Sequence, residues 1–118
     1  MGGLATFKDL CFDAGDHQAQ ADWWCAALGY ERKGLADGRP RPDDWPALIV
    51  DPSGRGPDMW VVPVPEGKVV KNRMHIDVFG PVAALLSAGA TMVLPKGDDR
   101  DWDVLADPEG NEFCVFTP

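Results

Sequence analysis

The pattern Asp-Pro-x-Gly occurs twice in this chain, each time directly behind a run of strand-forming residues. Trp45-Pro46-Ala47-Leu48-Ile49-Val50 leads into Asp51-Pro52-Ser53-Gly54, and Trp102-Asp103-Val104-Leu105-Ala106 leads into Asp107-Pro108-Glu109-Gly110. Proline cannot extend a hydrogen-bonded ladder, and glycine takes the positive φ that a tight reversal needs. One such turn says little. Its recurrence at the same place in both halves marks the halves as copies of one unit.

The rest of the chain follows the same plan twice. Thr6 to Asp13 and Arg73 to Phe79 alternate apolar and polar with the period of a half-buried strand. Residues 16 to 28 then change to helical spacing. Asp16 serves as N-cap, Trp23, Trp24, Ala27 and Leu28 as the apolar face, and Gly29 as the stop. In the second half, Gly80-Pro81 opens a helix with proline in its first turn, Val82, Leu85 and Leu86 form its face, and Gly89 ends it. Tyr30 to Leu35 and Ala90 to Leu94 follow as strands. Asp58 to Val64 and Asn111 to Thr117 close the two units. The expected fold is α+β, with eight strands and two helices in tandem βαβββ modules. Module one runs over about 5–65, the connector over 65–72 and module two over about 73–118 of one domain.

Composition narrows what such a chain can meet. It has 118 residues, 45% hydrophobic and 25% charged, which fits one globular domain. No run approaches the roughly 18 to 20 apolar residues of a membrane span, and the first residues carry no signal-peptide pattern. Cys11, Cys25 and Cys114 are an odd number without framework spacing, as expected of a reduced, cytoplasmic protein. Eleven basic against nineteen acidic residues leave a net charge of −8. That charge repels nucleic acid and anionic membranes, and it favours a cationic small molecule. The glycines form neither a dinucleotide fingerprint nor a Walker loop. Ser53 and Ser87, the only serines, lie outside any G-x-S-x-G context.

Alternation also divides the faces. Leu10 and Phe12 oppose Asp9, Cys11 and Asp13. Met74, Ile76 and Val78 oppose His75 and Asp77. Phe113 and Val115 oppose Glu112, Cys114 and Phe116. The apolar sets are expected beneath the helices, and the sets with Asp, His and Cys are expected to line a cleft with polar groups. Trp45, Trp60 and Trp102 are candidate ligand-binding residues there. Trp23 and Trp24 belong to the helix and to core packing, and His17 is expected to be solvated. Cys25 has no neighbour in sequence that would lower its pKa.

Ala21-Asp22-Trp23-Trp24-Cys25-Ala26-Ala27-Leu28-Gly29-Tyr30-Glu31, Lys71-Asn72-Arg73-Met74-His75-Ile76-Asp77-Val78 and Ala106-Asp107-Pro108-Glu109-Gly110-Asn111-Glu112-Phe113-Cys114-Val115 together carry a family likeness. The chain resembles the vicinal oxygen chelate superfamily of glyoxalases, extradiol dioxygenases, and fosfomycin and bleomycin resistance proteins. It is most similar to small bacterial glyoxalase-like domains. The resemblance implies a curved mixed sheet around a concave cleft, a homodimer, and a divalent metal held by His and Glu from the first and last strands of both modules. Carried over, the first-strand ligand falls at Asp9, the strand-five ligand at His75, and the final Glu at Cys114. Glu112 lies two residues earlier, and the remaining position falls near Trp60 or Val62.

Only His75 keeps its type, so the preferred expectation is a binding domain with a degenerate metal site and no bound cofactor. Asp9, His75, Cys114, Trp60, Trp102 and Trp45 would line its pocket and meet a cationic or aromatic small molecule. The alternative is a metal-dependent lyase, isomerase or dioxygenase. There Asp9, His75 and Cys114 hold a divalent metal, and Glu112 or Asp77 acts as a further ligand or as general base. A third class, a protein-docking module, has least in the sequence to favour it. The expected assembly is a homodimer, with Trp23, Trp24 and the final strand offering apolar contact.

Overall fold

The computed structural model describes Gly3, Leu4 and residues 7–117. Among them lie eight strands and two helices, in two compact units, Met1–Glu66 and Gly67–Pro118.

The first unit contains β1 (Leu10–Ala14), α1 (His17–Leu28), β2 (Glu31–Arg32), β3 (Ala47–Val50) and β4 (Met59–Pro63). Its sheet runs in the order β1-β4-β3-β2, with β1 parallel to β4 and the other pairs antiparallel. A parallel pair needs a crossover, and here the whole stretch from α1 to β3 provides it. The Asp16 carboxylate accepts the Ala19 N–H at 3.1 Å, and Gly29 closes α1 in the left-handed region at φ 72°. Both termini of the helix are therefore capped as the sequence requires. The face that α1 buries is Gln20, Ala21 and Trp24, while Trp23 stays half-buried. Trp24 meets Phe12 edge-on with ring centroids 5.7 Å apart, and Ile49, Met59 and Val61 complete the core.

The second unit contains β5 (Ile76–Phe79), α2 (Val82–Ser87), β6 (Thr91–Leu94), β7 (Asp103–Ala106) and β8 (Glu112–Phe116). Its sheet runs β5-β8-β7-β6, again with a parallel first pair and antiparallel others. Leu105, Phe113 and Val115 are its largest buried side chains. Here the helix is six residues long and buries none of them. Its N-cap, Pro81, has no side-chain acceptor, and Gly89 (φ 117°) follows too soon for a third turn.

The Asp-Pro-x-Gly turns match closely. Gly54 N–H bonds the Asp51 carbonyl and Gly110 N–H the Asp107 carbonyl, each at 2.9 Å, with both glycines at positive φ (75° and 87°).

Several expectations need correction. Strand one begins at Leu10 rather than Thr6, which lies outside the described residues, and strand five begins at Ile76 rather than Arg73. Met74 thereby leaves the covered face and is 83% exposed. The strand expected over Tyr30 to Leu35 shrinks to two residues: Lys33 N–H still reaches the Leu48 carbonyl at 2.9 Å, but Leu35 then turns back on Arg39, whose carbonyl accepts its N–H at 2.8 Å. Pro81 caps α2 from outside instead of sitting in its first turn. Trp24 is spent inside the first unit, and β8 is an interior strand. Exposed apolar side chains in the strands of the second unit include Phe79 and, on edge strand β6, Met92, Val93 and Leu94.

Candidate functional site

Register places a polar cluster at one position in each unit. In the second, Asp77 of β5 pairs with Cys114 of β8. His75 lies two residues before Asp77 and so shares its face. His75 Nδ1 stands 3.0 Å from Asp77 Oδ1. One ligand atom from each of His75, Asp77 and Cys114 lies within 4.8 Å of the others. His75 and Asp77 are exposed, and Cys114 forms the buried floor. Burial pushes the Cys114 thiol above its usual pKa, and the charge and hydrogen bond of Asp77 push it further.

Glu112, two residues before Cys114, is already engaged. Its Oε1 accepts the Asn72 N–H at 2.9 Å and lies 2.9 Å from Lys68 Nζ. These two bonds, the backbone one first, hold its carboxyl below the usual range. The connector is thereby tied to the start of β8.

In the first unit, β1 pairs with β4 in the same register, Leu10 with Met59 as Ile76 with Phe113. The positions of His75, Asp77 and Cys114 are therefore filled there by Asp9, Cys11 and Trp60. These three also touch. Trp60 Nε1 donates to Asp9 Oδ2 at 2.9 Å, Cys11 Sγ lies 3.9 Å from Asp9 Oδ1, and Lys8 Nζ reaches Asp9 Oδ2 at 2.6 Å. The Lys8 ammonium first, and then the Trp60 indole, hold the Asp9 carboxyl below its usual range. Arg41 lies over the Trp60 ring, 4.9 Å from its centroid, and donates Nε–H to the Lys33 carbonyl.

The other candidates, Trp45 and Trp102, have contacts of their own. Trp45 is 47% exposed, and its carbonyl accepts His17 Nε2 at 2.9 Å, so His17 is anchored rather than simply solvated. Trp102 stacks on Phe116 with ring centroids 5.6 Å apart. Arg41 was not anticipated, because it lies in the stretch 36–44 with no periodicity to place it.

The donor chemistry does not fit a hard oxygen-seeking ion at both clusters. Trp60 has no lone pair to give, and Asp9 is already shared by an ammonium and an indole. The second cluster offers nitrogen, oxygen and sulfur, a set suited to a borderline ion such as Zn²⁺. Among the described residues, no helix is long and apolar enough to cross a membrane.

Comparisons with known proteins agree with this architecture. The protein of a glyoxalase/bleomycin resistance protein/dioxygenase family enzyme from Burkholderia phytofirmans superposes with a TM-score of 0.68 at 14% identity, over 94% of this chain and 97% of that one. The fosfomycin resistance protein FosX from Mesorhizobium loti gives 0.70 at 10% identity, over 98% and 94%. The hypothetical protein SA1046 from S. aureus gives 0.66 at 13% identity, over 98% and 96%. At these identities the likeness is one of fold. No curated protein matches the chain significantly. The family model of the glyoxalase-like domain matches residues 9–116. The chain thus belongs to the glyoxalase-like domain family, within the vicinal oxygen chelate superfamily.

Proposed function

We propose that this protein is a small-molecule-binding domain of the glyoxalase type in which the metal-ligand set implied by the family resemblance has degenerated. The observation that carries the reading is the Asp9–Trp60 hydrogen bond of 2.9 Å. It puts an aromatic ring where a metal-binding unit needs a donor, and it consumes the carboxylate beside it. The ligand is an aromatic small molecule. A cationic group, the other expectation from the net charge, meets a ring at Trp60 that Arg41 already serves as cation. Three free thiols support a reducing, cytoplasmic setting.

Tryptophan fluorescence of the chelator-treated chain, titrated with planar aromatic compounds, tests this. Saturable quenching that is weakened in Trp60→Ala is expected. Binding or turnover that requires added Mg²⁺ or Mn²⁺ overturns it. The competing reading, a metal-dependent lyase, isomerase or dioxygenase, draws on His75 and Cys114 of the donor cluster. It asks for a free base, and Lys68 and Asn72 already hold Glu112. That leaves Asp77 for the role.

The chain assembles as a homodimer in the same proposal. The apolar side chains of edge strand β6 are the surface that supports it. Sedimentation equilibrium at micromolar concentration should give twice 12.8 kDa, and a strictly monomeric species removes the dimer.

A further inference from the structure

We infer that the second unit by itself forms a zinc-class site, with His75, Asp77 and Cys114 as its three protein ligands. The argument starts from register. Asp77 and Cys114 are cross-strand partners on the parallel β5–β8 pair, and His75 joins them from the residue that precedes β5. One nitrogen, one oxygen and one sulfur donor therefore converge within 4.8 Å. A tetrahedral Zn²⁺ with bonds of about 2.0 to 2.3 Å brings its ligands to roughly 3.3 to 3.8 Å from one another. Small side-chain rotations close that difference.

The depth profile fits ion entry. Cys114 is 6% exposed and forms the floor, while His75 and Asp77 are open to solvent. Three protein ligands leave a fourth position for water or a ligand atom. Coordination converts the Cys114 thiol to thiolate, and its proton leaves to solvent. The charge repulsion that Asp77 exerts on a bare thiolate is then relieved by the ion between them. Lys68 keeps Glu112 out of the donor set.

This inference goes beyond the ligand-binding reading. The site implied by the resemblance takes ligands from both units, whereas this one needs nothing from Asp9 and adds Asp77. Its thiolate also selects a different class of ion.

The test is a Co²⁺ titration of the chelator-stripped full chain. One equivalent should bind, giving a sulfur-to-cobalt charge-transfer band in the near ultraviolet and the intense visible bands of a tetrahedral ion. Zn²⁺ should displace it. Cys114→Ser should lose the charge-transfer band. Because that side chain is buried, His75→Ala provides a second, exposed variant. It should weaken Co²⁺ by more than the roughly 10- to 100-fold expected from loss of an outer partner. Asp9→Ala should bind Co²⁺ like the unmodified chain. The inference is overturned if the unmodified chain shows no charge-transfer band, or if the band survives Cys114→Ser. It is equally overturned if Asp9→Ala weakens Co²⁺ as much as His75→Ala, since the ion would then span both units. None of these outcomes touches the quenching titration of metal-free protein, so the two readings fail separately.

Discussion

Trp60 and Cys114 occupy the same place in the two repeats. Each sits on the last strand of its unit, in parallel register with the second residue of a polar pair, Cys11 in one case and Asp77 in the other. The indole donates a hydrogen bond to the first residue of its pair, Asp9, at 2.9 Å. The thiol instead faces the second residue of its own pair, Asp77, with ligand atoms within 4.8 Å of one another. One scaffold position thus holds a stacking surface in the first unit and a soft donor in the second. The duplicated backbone is conserved between the units, and the chemistry has diverged.

Removing the indole N–H should be legible at Asp9. In Trp60→Phe the Asp9 carboxyl pKa should rise toward its ordinary value, though not the whole way, because the Lys8 ammonium is the larger cause of its depression. Carboxyl-selective NMR titration measures this. An unchanged Asp9 titration would refute the hydrogen bond.

Acid should loosen the connector of the second unit. The folded-state pKa of Glu112 is lowered, so its stabilisation is fully present above the ordinary value of 4.5 and is lost as the pH falls through the depressed folded value. Urea midpoints should drop over that acid window, and Glu112→Gln should flatten the drop. A variant with the same acid slope as the parent chain would show that Glu112 does not contribute it.

The two turn glycines should be costly to replace for conformational reasons alone. Gly54 has open space where a Cβ would stand, and Gly110 has only the Lys68 Cδ at 3.8 Å, yet both take positive φ. Alanine at either should destabilise by about 1 to 2 kcal/mol. Gly67→Ala, with open space and no positive φ, is the control and should change little. Denaturant unfolding distinguishes them, and equal midpoints for all three would count against the turn argument.

Thiol labelling should proceed in a set order. Cys11 is exposed, Cys25 is intermediate and Cys114 is buried. Burial also raises the pKa of Cys25 and Cys114, which keeps both as the less reactive thiol at neutral pH. Timed maleimide labelling with peptide mass mapping should find Cys11 modified first and Cys114 only after unfolding. Early labelling of Cys114 would mean that its floor position is open.

Local signals carried most of the fold. The paired Asp-Pro-x-Gly turns, the Asp16 and Gly29 caps and the alternation in each strand are all short-range effects, and they place eight strands and two helices in two copies of one unit. The errors lie where short-range signals compete. Met74 alternates correctly with Ile76, but the ladder starts only at Ile76, so nothing covers it. Glu31 and Arg32 pair as a strand and Lys33 adds one more bond to Leu48, while the chain from Leu35 turns back on Arg39 instead.

The candidate site was legible as a set of residue types and faces, because a period of two fixes which side chains share a side of a strand. Asp9, His75, Asp77, Glu112 and Cys114 could be named that way. What each one touches depends on groups far away in the chain. Trp60 reaches Asp9 across 51 residues of sequence, Asn72 reaches Glu112 across 40, and Arg41 arrives over Trp60 from a loop with no periodicity. The sequence by itself determined the repeat, the caps and the faces, since these follow from backbone geometry within a few residues. Only the tertiary structure decided which carboxylates are committed and which donors converge, since parallel strand register and loop path join residues that no local pattern relates.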